Sequence, residues 1–194
     1  MRTFILAREG FAIVFVLFIL AIGAALCVFT FLAVVLFAVL FYALWFFRNP
    51  ERIPSERDPL SIIAPIDGKI VSIEGEGNFV KIAIETGVFD ARPIRSPIQA
   101  RSFSLSIAHG IAGAQGYLKQ IETIALDQKV LIALEPCYKP SRFYKPQNGS
   151  YLGERLGFFY GGTAILAAPK ECDVKVAIGA QVKAGESAIG FIRS

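Results

Sequence analysis

The sequence is poor in the residues that usually announce chemistry. It has one histidine, His109, and three cysteines, Cys27, Cys137 and Cys172. No two cysteines stand as C-x-x-C and their number is odd, so neither a disulfide framework nor a zinc site is indicated, and no metal centre is expected. Such cysteine usage fits a reducing, cytoplasmic setting. A basic stripe with interleaved aromatics is missing, as is any nucleic-acid motif, which argues against a nucleic acid as partner. Helical periodicity is scarce after residue 50. Charge is missing altogether between Phe11 and Phe47.

That last absence says the most. A run above about 18 apolar residues is a candidate membrane span, and this one lifts the mean hydropathy of the whole chain to +0.54. It is too long for a signal-peptide core, and no A-x-A-like site precedes a polar mature sequence. As one helix it would be ~55 Å long, against a hydrocarbon core of about 30 Å. A single steep helix remains open, but a hairpin of two short helices turning near Ile22-Gly23-Ala24 fits the length better. Arg2 and Arg8 precede the run; Arg48, Arg52 and Arg57 follow it. Basic residues at both ends place both on the cytoplasmic side. Tyr42, Trp45, Phe46 and Phe47 have the composition of an interfacial end. Residues 1–47 therefore read as an anchor in an inner or plasma membrane. Residues 48–194 read as one globular domain on its cytoplasmic face.

The domain opens on a linker with Pro50 and Pro54. Ser61–Ile73 reads as strand, turn, strand, with Asp67-Gly68 as a hairpin-type turn signal. Phe79–Ile84 alternates as a strand, and Val130–Leu134 is another. The expected fold class is mainly β: a compact sandwich or barrel-like domain of short strands and glycine turns, behind a transmembrane helical hairpin. Gly153-Glu154-Arg155-Leu156-Gly157-Phe158 is echoed by Gly185–Phe191. The echo has the phrasing of flattened carrier-type sandwiches, but no lysine sits at a suitable hairpin tip, so turn glycines are the plainer reading. In Leu156–Pro169 two short apolar strands flank Gly161-Gly162-Thr163, which suggests a sharp bend or a close backbone approach.

Several stretches together fall into one order. Phe46-Phe47-Arg48-Asn49-Pro50-Glu51-Arg52 is followed by Ala64-Pro65-Ile66-Asp67-Gly68-Lys69, then by Gly153–Gly157, the glycine–hydroxyl pair and Val182–Glu186. Nearly the whole chain thereby resembles the short, membrane-anchored form of phosphatidylserine decarboxylase. The resemblance implies a pyruvoyl enzyme acting on a membrane phospholipid. In that family a serine hydroxyl attacks the preceding glycine carbonyl, and the chain splits to leave a pyruvoyl group. That group then forms a Schiff base with the substrate amine and accepts the electrons left by decarboxylation. A histidine, oriented by an aspartate, is the base for self-cleavage.

Carried over by position, the aspartate is Asp67 and the cleavage pair is Gly162-Thr163. The family's D-V-H-x-N-R-x-P phrase falls on Asp90–Pro97, where its aspartate, arginine and proline are Asp90, Arg95 and Pro97. Its histidine is Arg92 and its asparagine is Ile94. Arginine stays protonated and cannot act as a general base. Threonine keeps a hydroxyl, but its β-branch restricts χ1, and its elimination would leave a 2-oxobutanoyl group. Self-processing is thus expected to be impaired or lost, by several orders of magnitude in rate.

The alternative is an active pyruvoyl-type decarboxylase that forms phosphatidylethanolamine after cleavage at Gly162-Thr163. A cofactor, self-derived, exists only if Thr163 is processed. A purely structural anchored β domain is argued against by the full-length order of motifs. Arg92 and Arg95 are candidates for a phosphate or carboxylate head group, against a solvated charged face. Asp67 has a plain turn role as well. His109 reads as a surface or structural residue, and Asn148-Gly149-Ser150 as a turn. A homo-oligomer is left open.

Overall fold

The computed structural model describes residues 6–27, 29–56, 58–112, 117–127, 130–137, 140–144 and 149–192. Arg2, Arg57 and Asn148 lie outside these. The chain forms two compact units, Met1–Glu51 and Arg52–Ser194.

In the first unit a 3-10 turn, Arg8–Gly10, leads into α1 (Phe11–Leu26), and α2 (Thr30–Phe46) returns. The helices bury small residues against each other, Ala21 and Ala24 from α1 with Ala33 and Ala43 from α2, and leave large ones such as Phe15 and Phe31 exposed. Small residues at a helix seam let backbones approach where lipid offers no hydrophobic drive for association. Leu6 bridges Arg48 and the Ala7 N–H donates to the Phe47 carbonyl at 2.7 Å, so the entry and exit of the hairpin lie side by side. Arg8–Leu26, 19 residues, is long and apolar enough to cross a membrane. At 17 residues α2 is ~26 Å long. The turn falls after Leu26 rather than at Gly23, which is inside α1. A glycine is well tolerated there, since apolar neighbours continue the helix and glycine is frequent in membrane helices.

The second unit is built of strands: β1 (Ser61–Ile63), β2 (Gly68–Glu76), β3 (Phe79–Glu85), β4 (Pro93–Arg95), β5 (Phe103–Ala112), β6 (Tyr117–Leu126), β7 (Val130–Pro136), β8 (Arg142–Phe143), β9 (Arg155–Phe158), β10 (Gly162–Pro169), β11 (Cys172–Val174), β12 (Gln181–Val182) and β13 (Ala188–Ile192). Seven make one curled sheet in the order β12-β2-β3-β10-β7-β6-β5, and two three-stranded sheets, β1-β13-β11 and β4-β9-β8, complete it. The mainly β expectation therefore holds.

Alternation sets the core. Ile82 and Ile84 of β3, Ile132 and Leu134 of β7, and Ala164, Leu166 and Ala168 of β10 all turn one face inward and are buried. The expected hairpin at Asp67-Gly68 does not form. β1 pairs with β13, and β2 with β3 and β12. The turn instead passes the chain between sheets, because Asp67 bonds to segments distant in sequence. The internal echo has a structural counterpart: Gly153 and Gly185 both take φ +74°, a left-handed conformation that favours glycine.

Leu166, at the centre of the sheet, gives a direct check of this core. Leu166→Ala is expected to cost about 2–5 kcal/mol, read by chemical denaturation in detergent. A loss below about 0.5 kcal/mol, the range of ordinary surface changes, would contradict the packing described.

Candidate functional site

Asp67 is buried, and each carboxylate oxygen has two partners. Oδ1 accepts from Arg52 Nη1 and from the Ala184 N–H at 2.8 Å; Oδ2 accepts from Arg52 Nη2 at 2.6 Å and the Ala91 N–H at 3.2 Å. Arg52 Nη1 also donates to the Ala184 carbonyl at 3.2 Å. Two parallel bonds between a guanidinium and a carboxylate fix geometry as well as charge. The pair fastens three remote segments together: the start of the domain, the β1–β2 turn and the β12–β13 turn. Through the Ala91 N–H it also holds the chain just before residue 92 to the aspartate.

The segment 86–93 carries this connection on to the glycine–hydroxyl pair. The Thr86 N–H donates to the Gly162 carbonyl at 3.0 Å, and the Phe159 N–H donates to the Arg92 carbonyl at 2.9 Å. Asp67, residue 92 and Gly162-Thr163 thus belong to one connected region. Arg92 is only 5% exposed, and its Nη2 donates to the Val88 carbonyl at 3.2 Å. Arg95 Nη1 donates to the Gly153 carbonyl at 3.0 Å. Arg95 also stands directly opposite Arg155 across β4 and β9. The Arg155 guanidinium lies over the Tyr144 ring, with Nη2 donating to its hydroxyl at 3.2 Å. Arg155 was not singled out from sequence; its signal was its place in the Gly-Glu-Arg-Leu-Gly phrase.

Gly161 and Gly162 have φ +133° and +135°, a region that glycine alone adopts without strain. A Cβ on Gly162 would lie 2.1 Å from the Glu135 carbonyl oxygen. The pair therefore makes the sharp bend that delivers Thr163 into β10. Thr163 lies on the outer face of the sheet, half-buried, directly opposite Glu85 on β3 and Glu135 on β7. Directly opposed residues have Cβ atoms about 4.5–5.5 Å apart. These two carboxylates were not anticipated, since cross-strand register is invisible in one sequence. Cys137 is exposed, and its N–H donates to the Gly161 carbonyl at 2.9 Å. Cys172 is buried, and burial pushes its thiol pKa up.

His109 falls on β5, paired with Gln120, three strands from β10. At a strand spacing of about 4.8 Å that sets its backbone roughly 14 Å from β10 along the sheet. No group of three or more histidine, cysteine or acidic side chains suited to a metal occurs among the described residues.

Fold and site together define a β domain that follows an apolar helix pair, in which a sharply bent glycine–hydroxyl pair is linked by hydrogen bonds to the segment that Asp67 holds. Comparison with known proteins gives the class. The chain is 32% identical over 189 aligned positions to the phosphatidylserine decarboxylase proenzyme of Solibacter usitatus (strain Ellin6076), covering 88% of this chain and 91% of that one. It is 28% identical over 211 aligned positions to the proenzyme of the same name from Syntrophus aciditrophicus (strain SB), covering 95% and 96%. With the proenzyme of Desulfotalea psychrophila the identity is 29% over 211 positions. No family model and no solved structure matches the chain. The chain belongs to the phosphatidylserine decarboxylase family.

The Arg52–Asp67 pair has a measurable consequence. Arg52→Ala leaves a buried carboxylate without its counter-charge and is expected to cost about 3–5 kcal/mol in chemical denaturation. An unchanged midpoint would show that the pair does not hold the three segments.

Proposed function

We infer that this chain is a membrane-bound member of the phosphatidylserine decarboxylase family in which self-processing is impaired, so that Gly162–Thr163 stays intact. The observation that carries the reading is Arg92. It occupies the position of the family's base, is buried, and spends a donor on the Val88 carbonyl. A guanidinium accepts no proton at physiological pH, and the one histidine of the chain belongs to a strand three removed from Thr163. Without a base the Thr163 hydroxyl is a weak nucleophile, and its β-branch narrows the rotamers from which it attacks. Gly162 and Asp67 keep the frame of the reaction without its driving group. No 2-oxoacyl group then forms, and the protein acts by binding phospholipid at a membrane, with the β domain on the cytoplasmic side. Arg95, opposite Arg155, supplies the charge for a phosphate or carboxylate head group, and Arg92 adds to it.

A second reading has its own support. Glu85 and Glu135 flank Thr163, and a carboxylate takes a proton, though less readily than an imidazole. In that case slow cleavage converts Thr163 into a 2-oxobutanoyl group with release of its nitrogen as ammonia, and the protein is an active decarboxylase. Glu135→Gln with Glu85→Gln would then abolish cleavage.

Restoring the missing groups tests the first reading. In Arg92→His with Thr163→Ser, an imidazole follows the residue whose N–H bonds to Asp67, and the hydroxyl loses its branch. Two fragments on a denaturing gel are expected from this variant and one band from Thr163→Ser alone. Cleavage in the single variant would contradict the claim that the base is what is missing. An uncleaved but folded double variant would contradict it too, by showing that the frame itself no longer supports the reaction.

A further inference from the structure

We propose that the Val88–Phe89 loop tip and the Ile178 turn form one lipid-inserting edge, which dips into the membrane surface beside the glycine–hydroxyl pair. Val88 is 62% exposed, Phe89 74% and Ile178 63%. Three large apolar side chains so exposed cost solubility without contributing to the core. The two segments are tied to one another by Gln181 Nε2, which donates to Asp90 Oδ1 at 3.1 Å, and the Ile178 turn is held on β2 by the Gly179 N–H, which donates to the Ile70 carbonyl at 2.8 Å. The Phe89 loop is shaped by its own end, since the Gly87 N–H donates to Asp90 Oδ2 at 2.7 Å. Both oxygens of Asp90, the acidic group nearest the tip in sequence, are therefore engaged.

Two exposed lysines, each with an acidic partner, border the apolar groups. Lys69 Cε lies 3.9 Å from where a Cβ on Gly179 would stand, so an exposed lysine borders the apolar turn. Lys183, also exposed, follows β12 and lies 3.7 Å from Glu186 Oε1, which offsets part of its charge. Glu85 opposes Lys69 across β2 and β3 and offsets part of this charge. An apolar tip with lysines behind it is how a domain enters the interface, its apolar groups among acyl chains and its ammonium groups at the phosphates. The tip is joined to the site by the Thr86–Gly162 hydrogen bond, so an inserted loop brings Gly162-Thr163 to head-group level. The proposal does not depend on whether that bond is cleaved.

Full-length protein in vesicles of phosphatidylcholine and phosphatidylglycerol provides the test. In a Cys27→Ser, Cys137→Ser background, single cysteines are introduced as Phe89→Cys, Ile178→Cys and, as control, Asn78→Cys, and each is labelled with an environment-sensitive fluorophore. Asn78 is exposed at the far end of the β2–β3 hairpin, roughly 24 Å from Glu85 at strand rise. Spin-labelled lipid is expected to quench the labels at 89 and 178 at least twofold and the label at 78 not at all. Equal quenching at all three positions, or none at 89 and 178, overturns the proposal. So does shielding that appears only as protein concentration rises, which would mean a second copy covers the tip. Photo-cross-linking from a benzophenone side chain at position 88 reads the same contact without cysteine changes; phospholipid adducts are expected, and their absence counts against it.

Discussion

The bidentate contact between Arg52 and Asp67 is what the domain depends on. A buried carboxylate is stable only when charge and hydrogen bonds surround it, and here all its acceptor positions are used by Arg52, Ala91 and Ala184. Those partners come from the first residues of the domain, the loop after β3 and the turn after β12. Removing the carboxylate frees all three at once. The same contact holds Ala91 and, through the hydrogen bonds of the 86–93 segment, joins the turn at Asp67 to the bend at Gly161-Gly162. Fold and reaction frame share one anchor, so a chain that loses the reaction still has reason to keep Asp67.

This separates the parts of the site that are structural from those that are chemical. The aspartate, the paired left-handed glycines and the β10 ladder serve folding as much as catalysis. In the proposed reading the base serves only catalysis, and Arg92 stands at its position. A buried arginine at that position is a workable structural substitute, since its donors reach backbone carbonyls such as that of Val88. It cannot take a proton. In that proposed reading the chain keeps the frame of a self-cleaving protein while lacking the group that starts the cleavage.

Much of this was legible in the sequence. The charge-free run gave the helix pair, though apolar neighbours carried α1 past Gly23 to Leu26. Alternation in Phe79–Ile84 and Val130–Leu134 gave β3 and β7. The altered positions were readable because short phrases survive around them. What was hidden is what depends on register and long-range contact. Asp67-Gly68 has the local chemistry of a hairpin turn, yet the Arg52 and Ala184 contacts send β1 and β2 into different sheets. The β5–β6 hairpin could not be placed, since Gly110 and small neighbours blur its alternation. Glu85 and Glu135 flank Thr163 only after three strands, distant in sequence, are aligned. The Phe89 and Ile178 exposures likewise follow from tertiary placement.

The central claim is that the Gly162–Thr163 peptide bond is intact in the native protein. The direct measurement is the intact mass of the wild-type chain extracted from membranes. The account predicts a single species at the full 21.2 kDa. Two species divided between residues 162 and 163, the smaller with a 2-oxoacyl group in place of its amino terminus, would contradict it.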